Sequence, residues 1–227
     1  SSVIRASSTH SGSMTGLNTD DPWNTTIGLP LLQGANEIEG LFFTVEIEKD
    51  KTDKRFQELN DNYEDILPYN LFFDDTAKHP EAVAKMLKKF YIGHGPINRA
   101  HYLGLADMVS DDRINYGLTV SARANRGKTY FYRMNYRGSN TMVHYLGSQA
   151  YYGVGHTDEL FFLFPLRAPG RNITQSDTIF SKQMVKMWTN FVKYLDPTPT
   201  GYPVKWAPVT SSSVEYLNIG QHYYVME

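Results

Sequence analysis

Leu29-Pro30-Leu31-Leu32-Gln33-Gly34-Ala35, with Glu37, Glu39 and Gly40 close behind it, is the stretch that decides the fold. A short apolar run cut off by polar residues and a glycine reads as a buried sheet strand that stops at a functional edge. A strand covered on both faces has no need to alternate apolar with polar residues. Upstream, residues 1–26 are rich in Ser, Thr, Asn and Asp without a sustained period and read as an extended surface segment.

Downstream, His79-Pro80-Glu81 opens a helix with Pro in its first turn. Val83, Met86, Leu87 and Phe90 follow at helical spacing, Lys88 and Lys89 suit its last turn, and Gly93 ends it. A second helix is expected from about Asp111 to Asn125, closed by Gly127, and Lys128–Tyr136 (KTYFYRMNY) then alternates as a strand does. A loop with Gly153, Gly155 and His156 comes next. The last strong helical pattern runs from about Ser176 to Tyr194, with Phe180, Met184, Met187, Trp188, Phe191 and Leu195 on one face, which predicts packing against a sheet. Pro-rich turns fill Asp196–Pro208, and Tyr216–Ile219 is a candidate terminal strand. Strand, acid, helices, strand, then histidine is an α/β order in which polar groups gather where strands end.

Composition narrows the function. At 227 residues, 41% hydrophobic and 20% charged, the chain suits one globular domain or a large piece of one. A formal charge of −2 with scattered Lys and Arg offers no basic stripe for phosphates, so a nucleic-acid partner is not expected. The longest apolar run, Leu160–Phe164, falls far short of the ~20 residues a membrane-spanning helix needs. The absence of cysteine excludes a thiol nucleophile and thiolate metal sites within this sequence. His94 and His101 lack a zinc-type spacing and an obvious third ligand; no metal or organic cofactor is expected. Asn24-Thr25-Thr26 and Asn172-Ile173-Thr174 are glycosylation sequons in loop-like sequence.

Two residues could carry chemistry. His156 lies in Gly153-Val154-Gly155-His156-Thr157-Asp158-Glu159, where glycines let the backbone turn and present an imidazole, and the two acids suit the first turn of a following helix. Glu39, just past a strand, can accept an imidazole N–H and fix its tautomer. Taken singly, each also fits a structural role, a hydrogen-bonded loop histidine and an exposed loop glutamate.

The two motifs together resemble the type-B carboxylesterases, the family of cholinesterases and insect esterases such as juvenile hormone esterase. The family's acid motif, Gly-x-Asn, two variable residues and Glu-Gly with aromatics, is matched by Gly34-Ala35-Asn36-Glu37-Ile38-Glu39-Gly40-Leu41-Phe42-Phe43. Its histidine motif is matched by Gly153-Val154-Gly155-His156 with the acids and the apolar run behind it. Lys128–Tyr132, Met187–Val192 with Asp196-Pro197, and Trp206 extend the likeness over nearly all of the sequence.

The resemblance implies an α/β-hydrolase. It assigns residues 1–227 to the C-terminal segment of one such domain, comprising part of the central, mostly parallel sheet with flanking helices. It makes Glu39 the acid and His156 the base of a Ser-His-Glu triad. The Gly-x-Ser-x-Gly elbow is not found: Gly12-Ser13-Met14-Thr15-Gly16 has the wrong register and the wrong place in chain order. The Gly-rich oxyanion segment and the family's closing helix are not found either.

The expected nucleophile therefore lies upstream. The expected partners are the complementary N-terminal part of the same esterase, without which an unpaired sheet edge would be left open, and a hydrophobic ester substrate. Tyr (16) and Phe (12) are abundant enough for such a pocket. The family and the sequons imply a secreted glycoprotein. The alternative readings are a non-catalytic adhesion or interaction protein, from the branch of the family that has lost triad members, and a cleaved fragment with no activity of its own.

Overall fold

The computed structural model describes residues 28–210, 213–221 and 223–226, the last four by their main chain. Asn24 and the Gly12–Gly16 stretch lie outside the described residues. Strand β1 (Leu31–Asn36) pairs in parallel with β2 (Thr129–Met134), from Leu31 opposite Thr129 to Asn36 opposite Met134. Strand β3 (Tyr216–Ile219) lies parallel on the far side of β2, and β4 (Tyr223–Met226) closes the sheet antiparallel to β3. The order β1-β2-β3-β4 makes the sheet mostly parallel, as expected, and Tyr216–Ile219 is followed by one further strand.

Helix α9 (Gln175–Tyr194) packs on one face of this sheet. Its Phe180, Met184 and Met187 join Tyr130, Tyr132, Met134, Leu217 and Ile219 in a single buried cluster, with Trp206 at its centre. Trp206 is fully enclosed and its indole N–H is satisfied by the Phe131 carbonyl at 2.9 Å. Leu195 departs from the expected apolar face. It ends α9 in the left-handed conformation (φ 53°) and is 52% exposed, because the chain has already turned toward Pro197.

The long crossover from β1 to β2 is almost entirely helical, which suits a parallel connection. It contains α1 (Leu41–Lys49), α2 (Lys54–Asp61), α3 (Tyr63–Asn70), α4 (Pro80–Tyr91), α5 (Tyr102–Ser110) and α6 (Tyr116–Ala124). Leu41, Val45, Phe56, Leu59, Leu67, Leu105 and Met108 pool their side chains in a second core. The helix expected from Asp111 in fact begins at Tyr102. Asp111–Asn115 is a π-helical turn between α5 and α6, so Asp111 and Asp112 sit inside a continuous helical stretch and do not open one. The Tyr91 hydroxyl donates to Asp111 at this widened turn, 2.7 Å away.

Candidate active site

Asn36 is the last residue of β1, and the turn that follows carries Glu39 into the start of α1. Gly40 lets that turn pack closely against α5. A Cβ there would lie 1.9 Å from the Ala106 carbonyl oxygen, so only glycine lets α1 press this closely on α5. The Gly40 N–H donates to the Ser110 hydroxyl at 2.8 Å, and that hydroxyl donates in turn to the Ala106 carbonyl at 2.7 Å. Glu39 is only 3% exposed. One carboxylate oxygen accepts the Asn36 N–H at 2.5 Å, and the start of α1 adds the favourable field of a helix N-terminus.

The other oxygen of Glu39 lies 2.7 Å from Nδ1 of His156, so the two residues nominated from sequence, 117 positions apart, meet in a direct hydrogen bond. The imidazole reaches Glu39 because its loop is laced to the acid turn. The Ile38 N–H donates to the Val154 carbonyl at 2.8 Å, and the Val154 N–H donates to the Glu37 carboxylate at 3.3 Å. Phe42 and Phe43, on the first turn of α1, pack their rings 5.5 and 5.6 Å from the imidazole centroid. The hydrogen bond to Glu39 raises the His156 pKa above its ordinary value. Burial opposes the rise, and the charges of Glu39, Glu159 and Asp158 add to it.

The glycines before His156 act differently from the expectation. Neither Gly153 nor Gly155 has a positive φ; the left-handed residue in this loop is Thr157, at φ 68°. Gly153 lies against side-chain ends, since a Cβ there would come within 2.9 Å of the Glu37 carboxylate, which would have to shift. Asp158 and Glu159 fall just ahead of α8 (Leu160–Leu163) and not in its first turn. Asp158 is 2% exposed and accepts two backbone N–H bonds, from Gly155 at 2.8 Å and from Met142 at 2.5 Å. Burial pushes its carboxyl up to about 7 against those two bonds. Glu159 takes the Asn36 side-chain amide at 2.5 Å, and burial raises its pKa as well. Asn36 thus holds Glu39 with its main chain and Glu159 with its side chain. Its place in the acid motif was the available signal, and the second carboxylate was missed because the two lie 123 positions apart.

His156 Nε2 has no hydrogen-bond partner among the described residues, and the side chain is 32% exposed. A ring fixed through Nδ1 with a free Nε2 can exchange a proton with a group brought to its open side. No group of His, Asp and Glu is gathered for a metal among the described residues, and His94 and His101 take no part in one. Asn172 is exposed in the loop before α9, where Thr174 caps the helix by accepting the Asp177 N–H at 3.1 Å.

A mostly parallel sheet with helices on its faces and an acid–histidine pair at its strand ends defines the chain as an α/β-hydrolase. Its carboxylesterase-family signature extends over residues 22–227, and the chain belongs to the carboxylesterase family. Among curated relatives, venom carboxylesterase-6 of Apis mellifera is 29% identical over 74% of this chain and 32% of its own length. Juvenile hormone esterase of Tribolium castaneum is 27% identical over 75% of this chain and 31% of its own. The chain thus spans about a third of the length of these relatives. The solved structure of juvenile hormone esterase from Manduca sexta, with OTFP covalently attached, superposes with a TM-score of 0.68. That match has 18% identity and covers 88% of this chain and 38% of the other, and it supports the fold.

Proposed function

We propose that the protein to which this chain belongs is a serine carboxylic-ester hydrolase, with His156 as general base and then general acid and Glu39 as its orienting partner. The observation that carries this reading is the 2.7 Å contact between Glu39 and Nδ1, with Nε2 unpartnered among the described residues and the His156 side chain 32% exposed. With Nδ1–H donated to the carboxylate, Nε2 carries the lone pair that removes a proton from a serine hydroxyl. The serine oxygen attacks the ester carbonyl, and the imidazolium returns the proton to the leaving alcohol. Water then enters by the same route to release the acid from the acyl-enzyme. Family membership and the relatives named carboxylesterase and juvenile hormone esterase support this chemistry.

On this reading, residues 1–227 are the C-terminal segment of a single α/β-hydrolase domain. The serine and the oxyanion donors come from a complementary N-terminal part of the same esterase. Among the described residues β1 has one ladder partner, β2, which leaves an edge on which that part can build. Hydrophobic esters suit a base flanked by Phe42 and Phe43. Secretion and a glycan on the exposed Asn172 complete the proposal; a loss of mass on endoglycosidase treatment checks the glycan.

The decisive experiment is His156→Gln in the full-length protein. Ester turnover should fall by roughly three to six orders of magnitude, while an organophosphonate that labels the serine in the unmutated protein reacts far more slowly. Turnover within a few fold of the unmutated protein would remove His156 from the mechanism. An unmutated full-length protein that neither turns over esters nor takes the label is instead a non-catalytic member of the family.

A further inference from the structure

The residue after the candidate base is held in a conformation its side chain disfavours. Thr157 is β-branched, yet its backbone sits at φ 68°, a left-handed position such residues rarely adopt without compensation from their surroundings. Part of the compensation is local, the Thr157 hydroxyl donating to the His156 carbonyl at 2.5 Å, and the rest comes from Asp158, which ties the turn down. One of its oxygens accepts the N–H of Gly155, the residue before His156, and the other accepts the N–H of Met142, the first residue of α7 (Met142–Tyr145). The turn is closed in return by the Asp158 N–H on the Gly155 carbonyl at 3.2 Å and by the Leu160 N–H on the Thr157 carbonyl at 3.1 Å.

The backbone on both sides of His156 is therefore tied to one buried carboxylate, and that carboxylate is anchored to a separate element. Among the described residues the imidazole itself has a single hydrogen-bond anchor, Glu39. A turn free to relax would swing the ring about that one contact, and a displacement of about 1 Å at a reacting group can cost on the order of a hundredfold in rate.

We propose that Asp158 is a positioning residue for His156, a clamp that keeps the strained Thr157 turn closed so that Nε2 stays aimed at the reacting serine. The inference rests on the reading of Glu39 and His156 given above. Asp158 touches no reacting atom; it acts through the backbone of the turn. An asparagine in its place keeps the size but has one carbonyl oxygen for two N–H donors, so one end of the clamp opens.

The test uses three variants of the full-length esterase, with p-nitrophenyl acetate turnover and the NMR signal of the His156 Nδ1 proton as readouts. Asp158→Asn should lower kcat by about tenfold or more with KM within about threefold, and should broaden or shift the Nδ1 proton away from its hydrogen-bonded position. Adding Thr157→Gly removes the strain, because glycine occupies a positive φ freely, so the double variant should recover at least half of the lost rate and the original proton signal.

The proposal is overturned if D158N stays within twofold of the unmutated rate, or if the double variant recovers neither rate nor signal. Should D158N yield no folded enzyme, the double variant decides. A folded and active double variant supports the clamp, and one that does not fold makes Asp158 a folding residue and overturns the proposal. His156→Gln separates the two levels of inference. If it remains active, the reading of the base itself has failed; if it is dead while D158N is fully active, only the clamp has failed.

Discussion

Glu39 and His156 reach the same hydrogen bond by opposite routes. Glu39 stands three residues beyond the end of a strand, buried at the start of a helix. Its carboxylate is held by the N–H of Asn36, three positions earlier in the chain. His156 arrives after a long excursion from β2, on a loop fixed by contacts with the acid turn and with α7, and next to a residue in a disfavoured conformation. The acid's carboxylate is set by a local main-chain bond within a turn packed tightly on α5, and the base by a loop tied to the acid turn and to α7. Changes near the acid should therefore show first in stability, and changes near the base first in turnover.

Glu39→Gln in the full-length protein is the largest expected effect and the exception that sharpens the contrast. An amide can present its N–H to the ring and trap the wrong tautomer, so kcat should drop by roughly 10⁴ while the fold persists. Steady-state kinetics with a thermal melt check both halves, and a parallel loss of melting temperature would place Glu39 among structural residues.

Gly40→Ala comes next. The added methyl meets the Ala106 carbonyl, so α1 must move off α5, and stability should fall by about 3 kcal/mol on denaturant titration. An unchanged denaturation midpoint would show that α1 has room the packing denies. Ser110→Ala is milder. It strips the Gly40 N–H of its acceptor inside a buried contact and should cost about 1–2 kcal/mol by the same measurement.

The smallest change is in pH dependence. The base must be neutral, and Glu39 raises the His156 pKa, so kcat/KM should rise with pH through a midpoint above 6.5, the ordinary histidine value. Residual activity of Glu39→Gln should show that midpoint moved down. The stability sign follows from the same shift. The charged His156–Glu39 pair stabilises the fold fully below the unfolded pKa, and that contribution is lost as pH rises through the higher folded one.

Much of the molecule was legible in its sequence, for reasons that differ by element. Helices α4 and α9 announced themselves through strong periodicity and end signals, Pro80 and Lys88–Lys89 for one and Pro197 for the other. Strand β1 was readable as an apolar run with a polar stop. The first three helices of the crossover, over residues 41–70, carried no such signal. Leu41–Lys49 reads Leu-Phe-Phe-Thr-Val-Glu-Ile-Glu-Lys, whose latter half alternates like a strand, and α3 contains Pro68. These segments are helical because Leu41, Val45, Phe56, Leu59 and Leu67 find one shared core, and tertiary burial outweighs weak local preference.

By itself the sequence determined the α/β order and the two motifs, and their resemblance to the carboxylesterases nominated Glu39 and His156 as acid and base. Those are properties of short segments, where strand, turn and helix signals act over a few residues. Only the tertiary structure decided that Glu39 and His156 share a 2.7 Å bond, that Glu159 approaches through Asn36, and that Asp158 is buried between Gly155 and Met142. The first two depend on pairs 117 and 123 positions apart, whose meeting is fixed by the packing of two cores, and the third joins a local bond to Gly155 with one to Met142, sixteen positions away.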